Sequence, residues 1–168
     1  MVHSVLSNCY GVNVRVTIIA DASHCTKTKA AGYGFWAVSE RGKHGGGGSM
    51  ASPVDTSSAA ELLAIVNGLF FGKLKGILDA GDHVLLQTDC QRAIDVLEGR
   101  IQTMTKDERA GRKRFYELKR EYACRVSFRH VKGHTSRTEA RYITNNLCDK
   151  RAKNGMRLAR KRIREYGK

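Results

Sequence analysis

Four acidic side chains stand at boundaries between apolar and polar segments of the sequence. Asp21 follows a run rich in β-branched residues, Asp89 follows a short apolar run, and Glu61 and Asp149 lie where helices are predicted to begin. Ligands gather beyond the C-terminal ends of parallel strands and at helix N-termini, so these carboxylates could meet at one edge of a sheet. Carboxylates held together repel one another unless cations neutralise them. Hard oxygen ligands suit Mg²⁺ or Mn²⁺ rather than zinc, so the pattern indicates metal-assisted chemistry.

Each of these acids also has an ordinary structural explanation. Asp21 could be a turn residue after a strand, and Glu61 completes a capping box with Ser58. Asp149 could favour a helix N-terminus, or it could pair with Lys153 four residues later. Taken singly, such explanations are sufficient. The combination of four acids at element boundaries is what favours a metal site.

Length, charge and cysteine content limit the class of protein. The chain has 168 residues, which predicts one domain, and a net charge of +14 with a pI near 9.9. Such a charge attracts polyanions, nucleic acid first and anionic membrane second, or it merely makes a soluble basic surface. We find neither a membrane-length apolar run nor a signal peptide pattern. The five cysteines form no Cys-x-x-Cys pair, so we expect free thiols in a reducing, cytoplasmic compartment.

The elements that must position these acids alternate between strands and helices. The predicted strands are Asn13–Ala20, Tyr33–Val38, Ser49–Val54, Val84–Thr88 and Val126–Val131. The predicted helices are Ser57–Leu74, Asp89–Leu97, Thr105–Tyr122 and a last helix capped by Asn145 or Asn146 that ends near Tyr166. A polar loop is predicted over 21–31, and the glycines at 45–48 are predicted to be a flexible hairpin connection. This order favours a mixed sheet with helices packed on it.

The last predicted helix is amphipathic. Its apolar stripe, predicted to dock on the sheet, consists of Cys148, Ala152, Met156, Ala159, Ile163 and Tyr166. Its remaining surface is strongly basic and carries Lys150, Arg151, Lys153, Arg157, Arg160, Lys161 and Arg164. This basic face either contacts a nucleic acid or serves solubility only.

The sequence resembles type 1 ribonuclease H from about Val14 to Asn154. The motifs that carry the resemblance occur in the family's order: Asp21-x-Ser23, Gly32-Tyr-Gly34, Glu61-Leu-x-Ala64, Thr88-Asp89, Val131-Lys-Gly-His134 and Asn145-x-x-Cys148-Asp149. The resemblance implies an α/β fold with a mixed five-stranded sheet, three strands antiparallel and then two parallel, and helices on both faces. It implies a single catalytic domain over 1–168, with a core of about 13–154 and a basic C-terminal helix of about 146–166.

The resemblance also implies an activity and a cofactor. The family hydrolyses the RNA strand of RNA·DNA hybrids internally and leaves 5′-phosphate and 3′-hydroxyl ends. Two Mg²⁺ ions, for which Mn²⁺ could substitute, would be held by the carboxylates of Asp21, Glu61, Asp89 and Asp149. His134 matches the family's mobile-loop histidine, which assists proton transfer or the departure of metal and product. We expect a monomer with no membrane and no obligate protein partner.

Substrate contacts follow from the same resemblance. The candidate residues are Ser23 and His24 after the first strand, Thr56, Ser57 and Ser58 before the first long helix, and Asn145. The chain departs from the family where serines replace asparagines after Thr56 and where 15 positions separate His134 from Asp149. The segment before His134 is short for the family's basic protrusion. Trp36, the only tryptophan, falls on a predicted strand.

Two other classes of function remain open. One is a different nuclease or a strand-transfer enzyme on the same fold, such as a resolvase or an integrase-like core. The Lys132-Gly-His134 segment and the Asn145-x-x-Cys-Asp149 motif argue against that class. The other is a catalytically weak module that binds hybrids, which predicts that one of the acids is missing. All four are present.

Overall fold

A computed structural model of the protein describes residues 13–132 and 139–167. The described residues form five strands and four helices. In chain order these are β1 (Arg15–His24), β2 (Ala31–Ser39), β3 (Gly42–Ser49), α1 (Ser57–Leu74), β4 (His83–Thr88), α2 (Gln91–Leu97), α3 (Lys106–Glu121), β5 (Arg125–His130) and α4 (Ala140–Tyr166).

The strands form one mixed sheet in the order β3-β2-β1-β4-β5. The pairs β1–β2 and β2–β3 are antiparallel, and the pairs β1–β4 and β4–β5 are parallel. This confirms the predicted fold class. The parallel register places Ile19 opposite Gln87, so Asp21 and Asp89, each two residues further along, come level at the same edge.

Helices cover both faces of the sheet, because alternate residues of a strand face opposite sides. Gly34 of β2 lies against the backbone of α4 at Cys148, whereas its neighbours Phe35 and Ala37 face α1 at Gly68 and Gly72. On the α1 side, α3 also packs on α1. The core therefore fills the α1 side, and α4 covers the other face.

The predicted third strand at Ser49–Val54 is wrong, and so is the flexible connection at 45–48. The glycines are themselves the edge strand β3, and the segment after Ser49 leads without regular structure into α1. A Cβ at Gly45 would lie 2.4 Å from the Trp36 ring, and one at Gly47 would lie 2.8 Å from Arg151 Cβ. Residues 45–48 of the strand lack side chains because β2 rings and α4 occupy the space beside them.

Two further boundaries differ from the predictions. β1 continues past Asp21 to His24, so the start of the predicted loop is strand. α4 begins at Ala140 and not at Asn145 or Asn146, which places Asp149 in the third turn of the helix. The stripe that docks on the sheet includes Asn145 and Gly155, with Cys148, Ala152 and Ala159 as predicted. Met156 and Ile163 are only half-buried, and Tyr166 is 78% exposed.

By length and composition alone, α1 is the one helix in the described ranges that could cross a membrane, with a mean hydropathy of 1.2. Half of it is buried inside the fold, where Leu62, Ile65 and Leu69 belong to the central hydrophobic cluster. Its apolar character is explained by its position in the core.

Close approach of α4 to β3 generates a test of the fold. A Cβ at Gly155 would lie 2.0 Å from the Gly48 carbonyl oxygen, so we expect Gly155→Ala to destabilise the protein. The expected loss is about 1–3 kcal/mol in the free energy of unfolding, despite alanine's higher helix propensity. Urea unfolding measures it. Asn154→Ala, at an exposed neighbouring position, is the control, and an equal effect of both substitutions would contradict the packing argument.

Candidate metal centre

Three of the predicted acids meet at one point. Asp21, Glu61 and Asp89 each offer a carboxylate oxygen, and these oxygens lie within 4.8 Å of one another. They come from β1, from α1 and from the residue after β4. The predicted convergence of acids from separate elements is therefore present for three of the four.

Asp21 is fixed by the sheet and not by a turn. It lies within β1, opposite Gly34 of β2, and is only 4% exposed. The antiparallel ladder with β2 includes Asp21, and the parallel ladder with β4 ends two residues before it at Ile19, so the backbone of Asp21 is held close to Asp89. Sheet geometry therefore sets the distance between these two carboxylates.

Glu61 is oriented by a backbone donor of β1. The Ala22 N–H donates to Glu61 Oε2 at 3.1 Å. The predicted capping box of Ser58 and Glu61 is wrong, because α1 begins two residues earlier than that box requires. Thr56 is the N-cap, and its hydroxyl accepts from Ala59 N–H at 3.2 Å. Glu61 is thereby left free to bond to β1.

A buried acid outside the cluster fixes the beginning of α1. This residue was not predicted from the sequence. Glu108 accepts from Ser58 Oγ at 2.8 Å and from Arg92 Nε at 2.7 Å. It also closes a capping box with Thr105 at the start of α3. The spacing Thr105-x-x-Glu108 is the sequence signal that could have identified it. This network joins the starts of α1 and α3 to α2.

Burial and mutual repulsion disfavour ionisation of the cluster. Desolvation, with the charges of Asp89 and Asp149, raises the pKa of Asp21 to about 7. Desolvation, with the charges of Asp21 and Asp89, raises the pKa of Glu61 well above its ordinary range. A divalent cation relieves both effects, since it supplies the missing positive charge to an all-oxygen donor set.

Asp149 lies close enough for its charge to raise the pKa of Asp21, but it is outside the group of three. Lys153 Nζ donates to Asp149 Oδ2 at 2.7 Å, one turn along α4. The ordinary explanation of Asp149 as an ion-pair partner is therefore correct in this structure. Its proximity to Asp21 keeps it a candidate ligand as well.

The remaining predicted site residues have varied surroundings. His24 Nε2 bonds to the Val54 carbonyl at 2.8 Å, and Ser23 is half-buried beside it on β1. Ser57 is exposed at the first position of α1. Asn145 is 3% exposed, and its Oδ1 has no partner in the described part of the chain. His134 lies outside the residues that the structure describes.

Known proteins with a similar sequence or fold belong to the ribonuclease H family. A ribonuclease H family model matches residues 13–157. RNase H1 from the halophilic archaeon Halobacterium salinarum NRC-1 is 25% identical, with a TM-score of 0.67 over 86% of this chain and 99% of that one. The N-terminal RNase H domain of a Mycobacterium tuberculosis protein, solved as a fusion with maltose binding protein, is 19% identical, with a TM-score of 0.68 over 89% and 98%.

A third solved structure is LC11-RNase H1 in complex with an RNA/DNA hybrid; LC11-RNase H1 was isolated from compost by a metagenomic approach. It is 16% identical to this chain, with a TM-score of 0.67 over 86% of this chain and 98% of that one. No curated protein matches the sequence significantly.

The family match covers most of the chain, and the mixed sheet with its acidic cluster agrees with that match. The chain belongs to the ribonuclease H family. Within that family it is a type 1 enzyme, which confirms the resemblance seen in the sequence.

The raised pKa of Asp21 predicts an unusual pH dependence of stability without metal. Asp21 ionises near pH 4 in the unfolded chain but near 7 in the folded protein, so the folded state retains a proton over that range. We expect the free energy of unfolding, measured by urea titration in EDTA, to fall as pH rises from about 4 to about 7. Glu108, whose pKa Arg92 lowers to about 2, acts with the opposite sign and at lower pH.

Two comparisons isolate the cluster's contribution to this profile. Asp21→Asn should flatten it, and excess Mg²⁺ should raise stability most at the high-pH end. Parallel profiles for the wild type and Asp21→Asn would contradict the assignment.

Proposed function

We propose that this enzyme cleaves the RNA strand of RNA·DNA hybrids at the cluster of Asp21, Glu61 and Asp89, with Asp149 completing a site for two Mg²⁺ ions. The observation that carries the proposal is the meeting of three carboxylate oxygens within 4.8 Å in a place that disfavours their ionisation. Such a group is costly to assemble unless divalent cations bind there.

The donor set fits Mg²⁺, with Mn²⁺ as a substitute. Every candidate ligand is a carboxylate oxygen, the hard donor that these ions prefer. The nearby thiols do not compete, because burial raises the pKa of Cys90 to about 11 and that of Cys148 to about 12. Bound ions would supply an activated water for in-line attack on phosphorus and stabilise the leaving 3′ oxygen.

The chain's own residues hold and orient this chemistry. The antiparallel ladder with β2 fixes the backbone of Asp21, and the Ala22 N–H fixes the direction of the Glu61 carboxylate. In the proposed mechanism His134 accepts or returns a proton near the products, as the resemblance implies, and does not bind metal. The expected products carry 5′-phosphate and 3′-hydroxyl ends.

The net charge of the protein and a solved structure with the same fold support an RNA·DNA hybrid as the substrate. A net charge of +14 favours a polyanion, and LC11-RNase H1, which has the same fold, has been solved with an RNA/DNA hybrid. The candidate contacts are the β1 end at Ser23 and His24 and the α1 start at Thr56, Ser57 and Ser58. The Lys29 Nζ donates to the Asp55 carbonyl at 3.1 Å and joins these two segments into one surface beside the acids.

The metal-site assignment predicts the effect of removing single charges. Asp21→Asn and Asp89→Asn should each lower the cleavage rate by about 100- to 1,000-fold or more, since each removes charge stabilisation at the reacting centre. Cleavage of hybrid, duplex DNA and duplex RNA, with and without Mg²⁺, measures the loss and the specificity. Asp79→Asn makes the same charge change in the turn before β4, away from the cluster, and should cleave normally. Near wild-type turnover in either cluster variant would overturn the assignment.

The histidine has a separate test. His134→Ala should slow turnover by about 100-fold and leave the metal affinity unchanged in calorimetry, because the proposed role is proton handling and not coordination. His83→Ala, at an exposed position at the start of β4, is the control. A loss of metal affinity as large as that of Asp21→Asn would show that His134 is a ligand.

A further inference from the structure

The C-terminal half of α4 carries an unusual density of positive charge. From 150 to 166 the helix has eight lysines and arginines and one acid, Glu165. Four of these cations line one open concavity of about 500 Å³, namely Arg157, Arg160, Lys161 and Arg164. We call these four residues the distal basic flank.

Three of the four cations lie on the side of α4 that carries Asp149. At about 100° per residue, Arg160 is about 20° around the helix from Asp149, Arg164 about 60° and Arg157 about 80°. Asp149 lies close to the carboxylate cluster, since its charge acts on Asp21. The distal basic flank is therefore a continuation of the catalytic side of the protein.

The flank also adjoins the loop that follows β1. Hydrogen bonds with Thr28, together with the positive charge of Arg160, lower the pKa of the Cys25 thiol to about 7, and the action of that charge places Arg160 near this loop. The same loop presents the exposed Lys27 and Lys29. One cationic surface thus runs from the end of β1 to the end of α4.

The helix end is held in place. Arg162, on another side of α4, donates to the Ser49 hydroxyl and to the carbonyl oxygens of Met50 and Ala51. In the described part of the chain, one flank residue forms an ion pair: Lys161 pairs with Glu165 at 3.7 Å. The flank therefore presents fixed and largely uncompensated positive charge.

We propose that the distal basic flank binds the phosphate backbone of the RNA·DNA hybrid beyond the cleavage position. This rests on the proposed function, since it concerns the same substrate. Arg164 lies about 22 Å along α4 from Asp149 at about 1.5 Å per residue. That is the length of about six base-pair steps, at about 3.4 Å between the phosphates of one strand along the duplex axis.

A membrane surface fits this helix less well. Helices that lie on anionic membranes insert an apolar face between the headgroups. The apolar stripe of α4 is instead buried on the sheet through Cys148, Ala152 and Ala159. The distal basic flank presents cations spaced along a helix, and these are complementary to the regularly spaced phosphates of a nucleic acid backbone.

The test replaces all four flank residues with glutamine and compares this variant with a matched control. The control replaces four other exposed cations with glutamine, so it removes the same charge. They are Arg15, Lys43, Lys75 and Arg125. Arg15 and Arg125 begin β1 and β5, and Lys75 follows the end of α1, so this control lies at the far end of the sheet. Binding of a hybrid of about 20 base pairs, long enough to cover the flank, is measured by anisotropy across a salt series in an Asp21→Asn background.

The flank variant should bind at least about tenfold more weakly at low salt, and its slope of log K against log salt should flatten by about 0.9 for each lost contact. Both effects should exceed those of the control, while turnover at saturating hybrid, with Asp21 intact, stays unchanged. Equal affinity and slope in the two variants would overturn the proposal, as would loss of anionic vesicle binding with hybrid binding intact. If the fourfold variant unfolds, Arg157→Gln with Arg160→Gln should give about half the change in slope.

Failure of the proposed function is a separate result. It would appear as wild-type protein that does not cleave hybrid with Mg²⁺, whatever the flank variant does. Normal wild-type cleavage with no difference between flank and control variants would overturn only the role of the flank.

Discussion

The repulsion between carboxylates held within 4.8 Å of one another is the constraint on which the rest of this structure depends. Flexible side chains would separate, so the acids need rigid supports on every side. β1 is paired along both edges, the Ala22 N–H directs Glu61, and Glu108 joins the start of α1 to α2 and α3. The fold stabilises an arrangement that its own charges oppose in the absence of metal.

Bringing the fourth acid to the cluster imposes a second requirement. α4 must lie almost on the backbone of β2 and β3, since added Cβ atoms at Gly32 and Gly34 would meet α4 backbone within 2.2 Å. Gly45 and Gly47 of β3, where added Cβ atoms would meet Arg151 of α4, extend the same contact surface to the edge of the sheet. Small residues that carry no chemistry therefore decide where Asp149 lies. Asp149 lies outside the group of the other three acids and pairs with Lys153.

Much of the fold and site could be predicted from the sequence, because local signals and tertiary packing agree there. The β-branched run of β1, the apolar helix α1 and the helix that begins at Thr105 all form as predicted. The strand formed by the glycines could not be predicted, since glycine is depleted in strands. It forms because β2 and α4 leave no room for side chains there. The start of α4 was misplaced because Asn145 looks like a cap but faces the sheet as part of the buried stripe.

The distribution of charge connects the site to its substrate. A negatively charged centre alone would repel a nucleic acid, and cations bound there could only partly reverse that repulsion. In this protein one helix carries both signs: Asp149 lies beside the cluster, and the distal basic flank lies about two to four turns beyond it. Because Arg162 anchors the helix end and the glycines anchor its middle, the two charged regions keep a fixed separation. A backbone held by the flank would therefore lie at a defined distance from the acids, and the flank would contribute to affinity for the hybrid rather than to the chemical step.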